Sequence, residues 1–432
     1  MKTIIVTTGA DRIAGTEEGG VCRFTAVPFA APPVGENRFR APQPLTPWEG
    51  VYQADHRPNR CPQIQCGGFY GKEFQYDDSP AMDEDCLYLN VFAPENASGC
   101  PVAVWFHGGA FCGGNCAEVT FDGTEYARRG VILVSANYRL GIFGWFAHRG
   151  LDTKDGTSGN YGLLDQMAAL RWVKENIAAF GGDADNVTIF GQSAGGMCVQ
   201  MLSSTPLAKG LFRRAIVQSS GGYGGSPLPS PDKAELEARL EAFLAEKQLT
   251  LDTLRRIPWQ QLQALVPEYD AFARRTGISS YFGPVVDGAV LPCSDTEAAA
   301  QGLTHAEAYM TGCTSNDMCA DAPRIEDSTI YRGMADWCEV HEKRGIPCYA
   351  YLFDRPLPGD DAGAFHSSEL WFTFGTYGRC WRPLTEADAE LSARMLDAWC
   401  AFMRCGDPGQ PRCTGREGFV KVWRIRESDG RA

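Results

Sequence analysis

The chain has no apolar stretch approaching the ~20 residues that a bilayer-spanning helix requires. It has no basic stripe either: 40 Lys and Arg stand against 53 Asp and Glu, a net charge of -13, and the pairs Arg128-Arg129 and Arg213-Arg214 are isolated. Neither a membrane nor a nucleic acid is therefore expected as a partner, and the acidity reads as solubility. Met1 to Thr8 is too short and too β-branched for a secretory h-region, which makes the expected location cytoplasmic. The 17 cysteines include no Cys-x-x-Cys pair, and close pairs such as Cys112 with Cys116 lack partner ligands. No metal is expected, and most of these thiols read as small buried hydrophobes. Cys61 and Cys86 bracket an aromatic segment and are spaced to close a loop by disulfide, although a reducing cytosol would keep them as thiols. Histidine is scarce, with six in 432 residues, which narrows the search for a catalytic base.

What is present is ordinary globular composition, 44% hydrophobic and 22% charged, without internal repeats. We expect one α/β domain over 1–432, with a gate-like loop at 61–86 and a helical insertion at 225–280. Pro101 to Phe106 and Val131 to Ala136 are continuous apolar runs, as in strands buried on both faces of a parallel sheet. Leu163, Met167, Leu170, Val173 and Ile177 recur at helical spacing and stop at Gly181-Gly182. Strands at 187–190 and 214–218 flank a helix at 194–202, so the centre alternates strand and helix. Leu236, Leu240, Phe243 and Leu244 predict one helix, and Leu254, Ile257, Leu262 and Leu265 a further helical stretch. Strands return at 308–311 and 347–353, a helix at 387–403 and a last apolar run at 420–425.

The strand at 187–190 runs into Gly191-Gln-Ser-Ala-Gly195, a Gly-x-Ser-x-Gly turn that exposes a serine at the tip of a strand-to-helix elbow. Ser193 is the candidate nucleophile. A serine hydroxyl needs a base, and on such a sheet the order is Ser, then Asp or Glu, then His. His56, His107 and His148 precede the serine, whereas His305 and His341 read as solvated. His366, after the strand at 347–353 and a Pro/Gly/Asp-rich loop, is the expected base. Asp317 follows the strand at 308–311 and is the expected acid, with Asp321, Glu326 and Asp327 as rivals. His107-Gly-Gly-Ala-Phe111 follows another strand and matches the glycine loop that stabilises an oxyanion, so Gly108, Gly109 and Ala194 are the expected N–H donors. Phe69, Tyr70, Phe74 and Tyr76, with Phe111 and Trp371, are expected either to line an apolar entrance or to pack in the core.

Together these segments resemble the type-B carboxylesterase family, which includes para-nitrobenzyl esterases and cholinesterases. The resemblance begins at Phe24-Thr-Ala-Val-Pro-Phe and continues through Glu84-Asp-Cys-Leu-Tyr-Leu-Asn90, Asn137-Tyr-Arg-Leu-Gly141 and Asn160-Tyr-Gly-Leu-Leu-Asp-Gln166. It ends near Phe282-Gly-Pro-Val-Val-Asp-Gly288 and Phe365-His-Ser-Ser-Glu-Leu370. It implies an α/β-hydrolase fold and a serine carboxylesterase that needs no cofactor and acts on a small-molecule ester through Ser193, Asp317 and His366. It also implies that Ser219 and Glu369 form a buried polar pair supporting the histidine. Monomer and homodimer stay open, and so does an amidase or thioesterase using the same groups. The family also includes adhesion proteins that lack a working triad. Three departures stand out. Gln192 replaces the usual Glu, the acid motif ends Asn316-Asp317-Met318 rather than with the common acidic residue and glycine, and only 49 positions separate Asp317 from His366. Weaker attraction for cationic substrates and a more open acyl site are expected.

Overall fold

The computed structural model describes residues 2–9, 11–64, 67–74, 79–152, 158–226, 228, 230, 232–276, 282–318, 321–413 and 422–426. Among the described residues, twelve strands form one sheet: β1 (Lys2–Thr8), β2 (Asp11–Glu18), β3 (Val21–Pro28), β4 (Val51–Gln53), β5 (Tyr88–Pro94), β6 (Cys100–Phe106), β7 (Ile132–Ala136), β8 (Gly182–Gln192), β9 (Arg214–Gln218), β10 (Tyr309–Thr314), β11 (Cys348–Phe353) and β12 (Val422–Ile425). Their order is β1-β2-β3-β5-β7-β6-β8-β9-β10-β11-β12, with β4 attached to β2. The pairs from β1 to β7 along that order are antiparallel, and every pair from β7 to β12 is parallel.

The parallel half is where the sequence was most legible. Every residue of β7, β9, β10 and β11 is buried, and for β7 this is why Val131 to Ala136 reads as a continuous apolar run. The antiparallel start was not foreseen. Strand β1 lies at the sheet edge with mostly exposed or half-exposed residues, and its β-branched run Thr3-Ile-Ile-Val-Thr7 was the available signal.

Short helices α1 (Gly68–Glu73), α2 (Thr124–Arg128) and α3 (Gly141–Trp145) precede α4 (Tyr161–Asn176), whose buried face carries Leu163, Met167, Leu170 and Val173. A 3-10 turn extends α4 and ends at Gly181 in the left-handed conformation, φ 83°, the predicted stop. Helix α5 (Ala194–Ser204) follows β8 and is buried along its whole length. Within 225–280 lie α6 (Lys233–Lys247), α7 (Leu251–Arg256) and α8 (Trp259–Thr276). The helical stretch expected around 254–265 is therefore two helices. Pro258 separates them, because the residue before a proline is steered away from helical backbone. Helices α9 (Asp295–Gln301), α10 (Thr329–Glu342), α11 (Leu370–Thr373) and α12 (Glu386–Cys405) complete the set. Among the described residues no helix is long and apolar enough to cross a membrane, and no group of three or more His, Cys, Asp or Glu could hold a metal ion. Cys61 and Cys86 are both buried free thiols, so the disulfide considered from sequence is not formed.

Candidate active site

Parallel strands all end at the same edge, so the loops after β6, β8, β10 and β11 gather at one place. That topology brings Gly108, Ser193, Asp317 and His366 to one edge although they span more than half the chain. Ser193 sits between β8 and α5 with φ 57° and ψ -129°, a backbone conformation that non-glycine residues rarely hold. The turn is fixed on both sides: Ser193 N donates to Gln218 O at 2.8 Å, and Met197 N donates to Ser193 O at 2.9 Å. Glycine is obligatory beside it, because a Cβ on Gly195 would stand 2.0 Å from Phe106 O. Ser193 is half-exposed, and among the described residues its Oγ has no hydrogen-bond partner.

His366 Nδ1 lies 2.6 Å from Asp317 Oδ1, in a site where both side chains are buried. Asp317 accepts further bonds from Ser219 Oγ at 2.7 Å, Thr314 N and Oγ1 at 3.1 Å each, and Met318 N at 2.8 Å. Burial pushes its carboxyl up, but the His366 charge and hydrogen bond, with those from Thr314 and Ser219, hold it below the usual carboxylate range. Burial pulls His366 down, while the charge and hydrogen bond of Asp317 and the charge of Glu369 raise it above 6.5 on balance. The rivals for the acid are engaged elsewhere. Asp321 bonds Thr329 N, Glu326 pairs with Arg424 and Asp327 with Arg332.

Ser219 thus reaches the acid rather than the histidine. Glu369 is fully buried, accepts from Gln218 Nε2 at 3.3 Å and is pushed up to about 7, first by burial and then by the charge of Asp317. Gln192 is buried at the end of β8, and its Nε2 is 3.1 Å from His366 Nε2. The backbone of Gly108 runs alongside, since a Cβ there would stand 2.8 Å from Gln192 O and 3.1 Å from Ser193 Cβ. Among the described residues the N–H groups of Gly108, Gly109 and Ala194 donate to no protein acceptor, and Ala194 heads α5, where helix N–H groups lack intrahelical partners.

The remaining histidines are elsewhere. His341, expected to be solvated, is fully buried between Thr304 Oγ1 at 2.9 Å and Trp337 O at 2.8 Å, because the charged stretch around it is the last turn of α10 and His341 falls on its inner face. His305 is not solvated either: it packs on Phe212, with Nε2 3.1 Å from Thr205 O. His107 stacks on Tyr138, His148 Nδ1 accepts from Gly150 N, and His56 lies near Gln53 O.

Of the expected entrance residues, Phe111 and Trp371 are 0% exposed and belong to the core, Phe111 edge-on to Trp145 and Trp371 stacked on Phe74. Phe74 is also buried, whereas Tyr76 lies outside the described residues. Phe69 is 41% exposed and packs edge-on against Phe365, the neighbour of His366, with Tyr70 beside it. Four residues of this region escaped the sequence reading. Glu73 on α1 is buried and accepts from Arg382 Nε at 3.0 Å, Trp371 Nε1 at 3.2 Å and Trp381 Nε1 at 2.9 Å. Arg382 lies 4.9 Å over the Phe365 ring. Gln218 holds Glu369, and Asn316 joins the loop of Asp317 to that of His366. No local pattern announces any of them, since each partner lies far away in the chain.

An elbow serine, an Asp-bound histidine and a free N–H cluster at the carboxyl edge of this sheet define a serine ester hydrolase of the α/β-hydrolase fold. The chain belongs to the carboxylesterase family, whose sequence profile matches residues 2–330 and 323–427. It is 35% identical to a para-nitrobenzyl esterase of Bacillus subtilis (strain 168) over 94% of this chain and 90% of that protein. It is 30% identical to carboxylesterase 4A of Bos taurus over 89% and 83% respectively. Among solved structures, a thermophilic PNB esterase superposes with a TM-score of 0.83 at 32% identity, covering 98% of this chain and 96% of that one. A second PNB esterase gives 0.82 at 32% identity over 94% and 93%.

Proposed function

We propose that Ser193 attacks the carbonyl of an uncharged, moderately apolar or aryl ester. His366 takes the Ser193 proton at Nε2 and returns it to the departing alcohol, and the acyl group stays on the serine until water repeats the cycle. Asp317 holds the Nδ1 proton and balances the imidazolium. The N–H groups of Gly108, Gly109 and Ala194 receive the oxyanion. The observation that carries this reading is the 2.6 Å contact between His366 Nδ1 and Asp317 Oδ1, which leaves Nε2 as the basic nitrogen at the edge where Ser193 stands.

The substrate class rests on neutral side chains near the triad. Gln192 supplies no negative charge, Met318 is exposed beside Asp317, and exposed Phe69 adds apolar area. The similarity to para-nitrobenzyl esterases supports an aryl or benzyl ester. The test is exposure to a fluorophosphonate followed by intact-mass analysis and peptide mapping. One adduct on Ser193 is expected, and none in Ser193→Ala. Short-chain p-nitrophenyl esters are expected to turn over much faster than choline esters, and the reverse preference contradicts the substrate assignment.

A further inference from the structure

The contact between Gln192 and His366 bears on how the base is held before an ester arrives. Asp317 occupies Nδ1, and its carboxylate, held ionised by four donor contacts besides His366, can only accept. The ring proton therefore sits on Nδ1 and Nε2 offers a lone pair. Gln192 Nε2, 3.1 Å away, is a donor aimed at that lone pair. Its amide oxygen turns to the other side, 3.2 Å from where a Cβ on Gly108 would stand. Meanwhile, among the described residues, the Ser193 hydroxyl has no partner. An imidazole nitrogen has one lone pair, so the carboxamide and the serine cannot both bond it fully. A glutamate at 192 would carry no such donor when ionised, which makes the arrangement a property of this chain's glutamine.

We propose that Gln192 is a positioning residue that caps Nε2 of His366 in the free enzyme and competes with the Ser193 hydroxyl for it, so that acylation begins only when the carboxamide lets go. The inference rests on the proposed roles of Ser193 and His366. The ionisable groups facing the ring are Asp317, from the loop after β10, and Glu369, from its own loop; Tyr70 on α1 and Cys313 on β10 feel the same carboxylates and stay neutral through burial. None of these groups competes for Nε2 in the structure.

The test uses the full chain and its variants Gln192→Met, close in length but lacking a donor, and Gln192→Leu, read in the same way should the first fold poorly. Two readouts are taken above the pH at which His366 loses its charge: the 15N resonance of His366 Nε2, and the second-order rate of fluorophosphonate addition. In the Ser193→Ala background, where no hydroxyl can take the carboxamide's place, the resonance is expected to move to the position of an unbonded imidazole nitrogen. The rate is expected to rise about fivefold, the factor that one neutral hydrogen bond of typical net strength would hold back. An unmoved resonance shows that no cap exists, and an unchanged or lower rate shows that the cap does not compete; either result overturns the proposal. Peptide mapping separates this from failure of the underlying reading, which would appear as no adduct on Ser193 in the unsubstituted enzyme.

Discussion

Asp317 carries a charge in surroundings that oppose one, and the five donor contacts around its two oxygens are what reconcile the two. Replacing it with Asn keeps the shape but removes the charge that fixes the His366 tautomer and balances its cation. The expected loss in kcat is about 10^4-fold, the size found for the same change in a well-studied triad. The pH profile gives an independent sign. His366 must be neutral to act as a base, so kcat/KM falls as pH drops through its pKa, which lies above 6.5. Since Asp317 raises that pKa, the acidic inflection in Asp317→Asn moves to lower pH. An inflection unmoved in stopped-flow kinetics would mean that a group other than His366 titrates. Folding sets Asp317 against His366, and the proposed nucleophile, base and acid were all picked out by residue type and order along the chain. The donors around the acid were not, because a serine at 219 or a threonine at 314 becomes informative only once folding sets it beside Asp317.

Loops rather than strands decide whether these side chains meet. Asn316 N donates to Ala364 O at 3.0 Å and Asn316 Nδ2 to Ala362 O at 2.7 Å, forming a clip between the loop after β10 and the loop after β11. Asn316 is exposed, so shortening its side chain leaves the core untouched. In Asn316→Ala the backbone bond persists while the side-chain bond is lost, and the two loops gain freedom. Misplacement by a fraction of an ångström suffices for roughly a tenfold fall in kcat, given that 1 Å can cost about 10^2-fold. KM is expected to change little, and Asn316→Asp, which cannot donate, should behave like Ala. Steady-state kinetics on p-nitrophenyl acetate checks this, and a fall confined to KM would count against it. An element buried on both sides, such as β7, announced itself as an apolar run. Edge strand β1 and the break between α7 and α8 did not, because partial exposure blurs the first and a single Pro258 makes the second.

At the scale of the molecule, the N-terminal segment, the 61–86 stretch and the helices after residue 232 are joined by one guanidinium. Arg38 forms a two-pronged pair with Glu84, through Nε at 2.7 Å and Nη2 at 2.5 Å, and its Nη1 donates at 2.7 Å to both Leu254 O and Ile257 O. Both side chains are buried, and 216 positions separate Arg38 from Leu254. Nothing near residue 38 in the sequence marks it as the meeting point of three regions. A buried ion pair is weak evidence of net stabilisation, yet removing one partner strands the other charge. Arg38→Met is therefore expected to lose about 3–5 kcal/mol, as the Glu84 carboxylate and two carbonyls are left without their donor. Adding Glu84→Gln removes the stranded charge, so the double variant should recover part of that loss, although neither residue touches the other's replacement productively. The cycle is read from denaturant midpoints at fixed slope, with esterase activity followed in parallel. If the two losses simply add, Arg38 acts through its carbonyl contacts to α7 alone and the pair with Glu84 contributes no coupling.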